Sequence, residues 1–226
     1  MKETTAKIFI SEQIGEISTI TLRPASATYL LILGHGAGAG MTHRFMEGLS
    51  EALAKVGIGS LRYNFPYMEN KKGRPDVPAI AHKTIVEVIG YAAETHRDKY
   101  ELVLSGKSFG GRMASQAMAK YKFPQIKALV FYGFPLHSPA KPGVDRADHL
   151  KSIDVPMLFL QGSRDALARL DLLEPLLADL PKATPLIYEG GDHSFKFGKK
   201  TGIDPEAALQ MLSNDTRDFL DSIKTS

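Results

Sequence analysis

The strongest constraint on this chain is an alternation. Short, unbroken apolar runs at residues 29–33, 102–104, 128–132, 156–160 and 186–188 are separated by segments of helical periodicity. An apolar run without polar alternation suits a strand covered on both faces. Repeated β/α alternation therefore predicts a mostly parallel central sheet with helices on both sides. Residues 7–10 and 17–22 read as two earlier strands, with residues 12–15 turning between them as an N-terminal antiparallel hairpin. A further strand is expected at residues 59–63, followed by a polar loop over 69–78. One helix is expected over about residues 42–56, with Phe45, Leu49, Leu53 and Val56 inward. A second is expected over about 79–95, with Ile80, Thr84, Val88 and Tyr91 inward. The last helix starts at Asp204-Pro205-Glu206, with Asp204 as N-cap and Pro205 at the first helical position. A length of 226 residues fits one α/β domain, residues 1–226, with no large inserted cap.

Composition narrows the function classes. The net charge is +3 and no long Lys/Arg run occurs, so nucleic acid is not indicated as a partner. The chain contains no cysteine, which excludes disulfides, thiolate metal sites and a cysteine nucleophile. The segment Met1 to Lys7 is polar and no apolar run approaches membrane-spanning length, so the cytoplasm is the default location and no membrane is expected.

In α/β sheets of this kind, ligands bind at the carboxyl ends of the strands. The polar motifs of this chain fall there. Leu102-Val103-Leu104 leads into Gly106-Lys107-Ser108-Phe109-Gly110-Gly111 and then an Ala- and Met-rich stretch. Strand, sharp G-x-S-x-G turn and helix together read as a nucleophile elbow presenting Ser108. The alternative, phosphate binding by a P-loop, needs a glycine five residues before Gly106, where the chain has Glu101. A serine hydroxyl needs a base, and the base needs an orienting carboxylate. The order nucleophile, acid, histidine is met by Ser108, Asp165 and His193, each just past an apolar run. Of seven histidines, His43, His82 and His96 precede Ser108 in helical segments and read as surface residues. His35 reads as loop-shaping, and His137 and His149 precede Asp165; only His193 follows it. A tetrahedral intermediate also needs oxyanion donors. The Phe109 N–H is one candidate, and the Ala37 N–H, in the run His35-Gly36-Ala37-Gly38, is the other.

Six segments carry a wider resemblance: His35-Gly36-Ala37-Gly38, Arg62-Tyr63-Asn64-Phe65-Pro66-Tyr67, Gly106 to Arg112, Pro135-Leu136-His137, Gln161-Gly162-Ser163-Arg164-Asp165 and Gly191-Asp192-His193-Ser194-Phe195-Lys196. In these the chain resembles the small, cap-less, dienelactone-hydrolase-like α/β-hydrolases. More narrowly, it resembles the family joining bacterial predicted hydrolases to the eukaryotic testis-expressed and NSL-complex hydrolase-like proteins. The resemblance implies the α/β-hydrolase fold and a Ser108–His193–Asp165 triad. Dienelactone hydrolases proper use a cysteine, so their substrate is not implied. The expected activity is that of a carboxylesterase-like serine hydrolase, cleaving an ester, thioester or related acyl bond of a small molecule through an acyl-enzyme, with no cofactor or metal. A catalytically silent interaction domain and a small-peptide hydrolase are the alternatives. Candidate pocket residues are His35, Arg62, Asn64, Tyr67, Lys107, Phe109, Phe134 and His137, with Arg62 and Lys107 as hints of an anionic substrate.

Overall fold

A computed structural model of the protein describes residues 1–96 and 98–224. The sheet has eight strands: β1 (Lys2–Ser11), β2 (Gly15–Arg23), β3 (Tyr29–Gly34), β4 (Ile58–Tyr63), β5 (Glu101–Lys107), β6 (Ile126–Tyr132), β7 (Met157–Gly162) and β8 (Ala183–Tyr188). Their spatial order is β1-β2-β4-β3-β5-β6-β7-β8. β1 pairs antiparallel with β2, β2 pairs antiparallel with β4, and every later pair is parallel.

Successive residues of a strand point to opposite faces, and the parallel strands are apolar on both. On β3, Leu30 and Ile32 enter one core while Leu31 and Leu33 enter the other. The first core is closed by α3 (Pro78–His96), α4 (Phe109–Tyr121) and α5 (Leu170–Ala178), through residues such as Ile85, Met113 and Leu173. The second is closed by α1 (Arg44–Lys55) and α6 (Pro205–Lys224), through Met46, Leu49, Leu212 and Phe219. Each fully buried Leu or Ile stabilises the fold by roughly 1.5–3 kcal/mol, so the paired layers fix the strand ends that carry the functional loops. At α6 the Asp204 Oδ1 accepts from the Ala207 N–H at 2.8 Å, completing the cap.

The structure departs from the sequence-based expectations in places. A one-turn helix, α2 (Pro66–Glu69), opens where a loop is expected soon after β4, because Pro66 supplies a helical φ at the first position. β1 reaches back to Lys2: its polar half is exposed but pairs with β2, while Ile8 and Ile10 supply the buried alternation. On α1, Met46 is in the core and Phe45 only half-buried. On α3, Ile85 and Ile89 are inward, and Ile80 and Tyr91 lie at the borders. His82 and His96 are buried, not surface residues; His82 bonds the Gln116 amide and the His96 ring packs edge-on between Tyr91 and Tyr100. Periodicity alone does not distinguish a buried polar position on a helix that packs on two sides. No described helix is long and apolar enough to cross a membrane.

Candidate active site

Ser108 occupies the apex between β5 and α4 with φ 48° and ψ −112°. A non-glycine residue reaches this backbone only when the surroundings impose it. The surroundings are glycines: a Cβ on Gly106 would overlap the Gly110–Gly111 backbone, and one on Gly110 would overlap the Gly34 carbonyl. The turn is tight because β5 and α4 touch backbone to backbone, and the serine is pushed out of it.

Asp165 follows β7 and His193 follows β8. The two loops interlock, with Ser163 N–H donating to Tyr188 O at 3.0 Å and Arg164 N–H to Gly191 O at 2.9 Å. A side chain at Gly162 would overlap the Gly191 backbone. The result brings three side chains into a line. His193 Nδ1 lies 2.6 Å from Asp165 Oδ2, and His193 Nε2 lies 2.8 Å from Ser108 Oγ. The carboxylate side chain is fully buried and also accepts from the Leu167 N–H at 2.7 Å and from the Gln161 amide. A carboxylate only accepts, so Nδ1 carries the ring proton and Nε2 presents a lone pair to the serine hydroxyl. Asp192, adjacent to the histidine, turns away and accepts from the Ser194 and Lys196 N–H groups at 2.8 and 2.9 Å.

The two candidate oxyanion donors are backbone groups. Ala37 is exposed at the tip of the loop after β3, and Phe109 begins α4. Among the described residues neither N–H has an acceptor within the protein. Beneath the loop, His35 is fully buried. Its Nδ1 lies 2.9 Å from Gly36 O, and its Nε2 accepts from the Phe65 N–H at 3.0 Å. Burial pushes its pKa down to about 4, so the ring is neutral at neutral pH. The Tyr67 hydroxyl donates to the same Gly36 oxygen at 3.2 Å, and burial pushes its pKa up to about 12.

Lys107 is buried beside the serine. Its ammonium donates to the His193 carbonyl and lies over the rings of Phe45 and Phe195, 5.8 and 5.4 Å from their centroids. Burial pulls its pKa down to about 8, against the opposing pull of Asp165 and Asp192.

A cavity of about 870 Å³ opens at this point, with Ala37, Phe45, Lys107, Ser108, His193 and Phe195 in its wall. It continues along α1 to Lys55 and over the first turns of α6. Of the candidate pocket residues only Lys107 lines it. His35, Tyr67, Phe109, Phe134 and His137 are buried behind the wall. Arg62 donates to Met41 O at 2.9 Å and pairs with Glu3 and Glu47, and Asn64 bridges Met41 N–H and Glu69. Arg62 is thus a structural ion-pair partner and not an anion receptor of the site. His137 accepts from the Arg169 N–H at 3.1 Å, and His149 bonds Ser115 Oγ at 2.7 Å; neither reaches Ser108. Gln161, Phe45 and Phe195 lie at the candidate site, in places the sequence reading did not assign. Gln161, a polar residue ending an apolar strand, accepts from the Phe134 N–H at 2.9 Å while donating to Asp165. Its place at a strand end is the signal that marks it.

Residues 27–221 match the family model described as the alpha/beta hydrolase domain. The chain belongs to this family. Among solved structures, dienelactone hydrolase from Anabaena variabilis superposes with a TM-score of 0.76 at 17% identity, covering 96% of this chain and 95% of that one. An α/β serine hydrolase without a lid from Xanthomonas campestris gives 0.70 at 19% identity, covering 95% of each chain. Est1E from Butyrivibrio proteoclasticus gives 0.74 at 14% identity, covering 98% and 99%. As in the Xanthomonas protein, the α/β-hydrolase fold here carries no lid over the strand ends.

Proposed function

We propose that the protein is a serine hydrolase that cleaves an ester, thioester or related acyl bond of a small substrate. The observation that carries this reading is the unbroken relay from the buried Asp165 through His193 to Ser108 Oγ. Ser108 Oγ attacks the acyl carbonyl carbon while His193 Nε2 takes the hydroxyl proton. The carbonyl oxygen becomes an oxyanion facing the Ala37 and Phe109 N–H groups. Collapse expels the leaving group, which takes the proton from His193, and leaves Ser108 acylated. Water then attacks the acyl-enzyme with His193 as base, releasing the acid and restoring the serine. Asp165 stays ionised throughout and stabilises the imidazolium.

The open cavity, walled by Phe45 and Phe195, favours a small substrate with an apolar or aromatic arm. Est1E has been observed with ferulic acid bound, so hydroxycinnamoyl esters belong in the test panel beside short alkyl esters and acyl thioesters. The test is labelling by a fluorophosphonate together with hydrolysis of p-nitrophenyl acetate. Wild-type protein should be labelled on Ser108 and turn the ester over. Ser108→Ala should lose labelling and about 10⁴-fold or more in kcat. A folded wild-type protein that is neither labelled nor active would leave a silent interaction domain as the better reading.

A further inference from the structure

We infer that His35 and Tyr67 are positioning residues for the oxyanion hole: together they orient the Gly36–Ala37 peptide so that the Ala37 N–H faces the reacting oxygen. This rests on the serine hydrolase reading above and deepens it. Neither side chain lines the cavity, so neither touches substrate.

The argument starts from the peptide unit. The Gly36 carbonyl and the Ala37 N–H belong to one planar trans peptide, in which C=O and N–H point in opposite directions. Whatever holds the oxygen therefore aims the hydrogen. Three donors hold it: the Ala39 N–H at 3.4 Å, closing the turn, and two shorter bonds from fully buried side chains, His35 Nδ1 at 2.9 Å and the Tyr67 hydroxyl at 3.2 Å. The histidine's role is fixed by its other nitrogen. Nε2 accepts from the Phe65 N–H, so the proton of the neutral ring sits on Nδ1 and is donated to Gly36 O. The Tyr67 hydroxyl, coming from below the loop, donates to the same oxygen. With the carbonyl drawn into the core, the Ala37 N–H is left facing outward, where Ala37 is exposed and the cavity begins at Ser108.

The same cluster reaches the second donor. His35 packs edge-on against Phe65 and Tyr67, with ring centroids 5.1 and 5.6 Å apart. Phe65 and Tyr67 in turn pack edge-on against the Phe109 ring, at 5.2 and 6.1 Å. Phe109 supplies the other candidate N–H, so one aromatic block sits under both donors.

The deciding variant is Tyr67→Phe, which keeps the ring packing and deletes only the hydroxyl. Removal of a whole oxyanion donor typically costs about 10²–10³ in turnover, and misorienting one should cost about 10-fold or more. We expect kcat for p-nitrophenyl acetate to fall by about that factor with KM unchanged. Affinity for a boronic acid, which forms a tetrahedral adduct on the serine, should fall by the same factor. Unchanged kcat, or a rise in KM with boronate affinity intact, overturns the inference. A crystal structure of Tyr67→Phe reads the clamp without any turnover: the Gly36–Ala37 peptide should rotate or lose order, and an unmoved, fully ordered peptide also overturns it. That readout, set beside Ser108 labelling in the wild type, separates failure of the clamp from failure of the hydrolase reading. His35→Asn, whose amide can replace the Nδ1 donor, should retain more turnover than His35→Gln, whose longer amide overshoots Nδ1. Equal loss in the two folded variants would remove His35 from the clamp.

Discussion

The two halves of the candidate site are held in different ways. On the triad side, the proposed chemistry belongs to side chains held largely by backbone: Asp165 by the Leu167 N–H, joined by the Gln161 amide, and the His193 loop by hydrogen bonds among strand-end amides and carbonyls, joined by Lys107. On the oxyanion side, the proposed donors are backbone N–H groups, and the loop that carries one of them is held by the His35 and Tyr67 side chains. Damage should therefore look different on the two sides. Loss of a triad side chain removes a reacting or relaying group outright. Loss of a side chain under the oxyanion loop leaves both donors present but less well aimed, and the penalty is graded.

The contrast breaks most sharply at Asp165. Asp165→Asn keeps the shape but offers an amide N–H to His193 Nδ1, favouring the wrong tautomer, and kcat should fall by about 10³–10⁴-fold. A loss under tenfold, measured on a folded variant, would remove Asp165 from the relay. Gly110→Ala attacks both halves at once, because its Cβ would overlap the Gly34 and His35 carbonyls. We expect destabilisation of several kcal/mol, read as a fall in the urea midpoint; a midpoint within error of wild type would refute the close approach. Lys107→Met sharpens the triad side. It deletes the grip on the His193 carbonyl while preserving apolar contact with Phe45 and Phe195. The expected cost is about tenfold in kcat, by analogy with other losses of precise positioning. In the wild type the ammonium should lose its proton near pH 8, with Asp165 and Asp192 as the charges facing it, so turnover should decline above that pH. In Lys107→Met that alkaline limb should be absent; its persistence at the same pH would assign it elsewhere.

The smallest effect expected is on stability. Burial lowers both His35 and His149 to about 4 in the folded state, below the ordinary 6.5. Between about pH 6.5 and 4 the unfolded chain then binds more protons than the folded one, so stability should fall as pH drops through that window. His149→Gln, tested by urea unfolding at pH 7 and pH 5, should reduce the slope. An equal slope in the variant would show that His149 contributes nothing to it.

What the sequence showed and did not show follows the same division. The parallel sheet was legible because unbroken apolar runs leave few other architectures. Ser108, Asp165 and His193 were legible as a group because each is a chemically distinctive residue just past such a run. The wall of the site was not. Arg62 lies within β4 and Asn64 just past it, tied to Glu3, Glu47 and Glu69, while the α2 turn at Pro66 carries Tyr67 beneath the oxyanion loop; none of the three lines the cavity. Phe45 read as a core position of α1, yet it is only partly buried and lines the cavity beside Lys107, because the helix begins at the strand ends. Orientation of a backbone N–H has no signature in residue type, which is why Ala37 could be named while what aims it could not.

Lys107 and Ser108 are consecutive residues on one strained turn, and they reach opposite sides of the same histidine: the serine meets its ring, the lysine its carbonyl. Thermal drift of the loop after β8 is thus measured against a single reference point. When the turn moves, both attachments move with it, and the distance that matters for proton transfer changes only by the flexing of one side chain. The proposed nucleophile carries its own gauge for where its base must be.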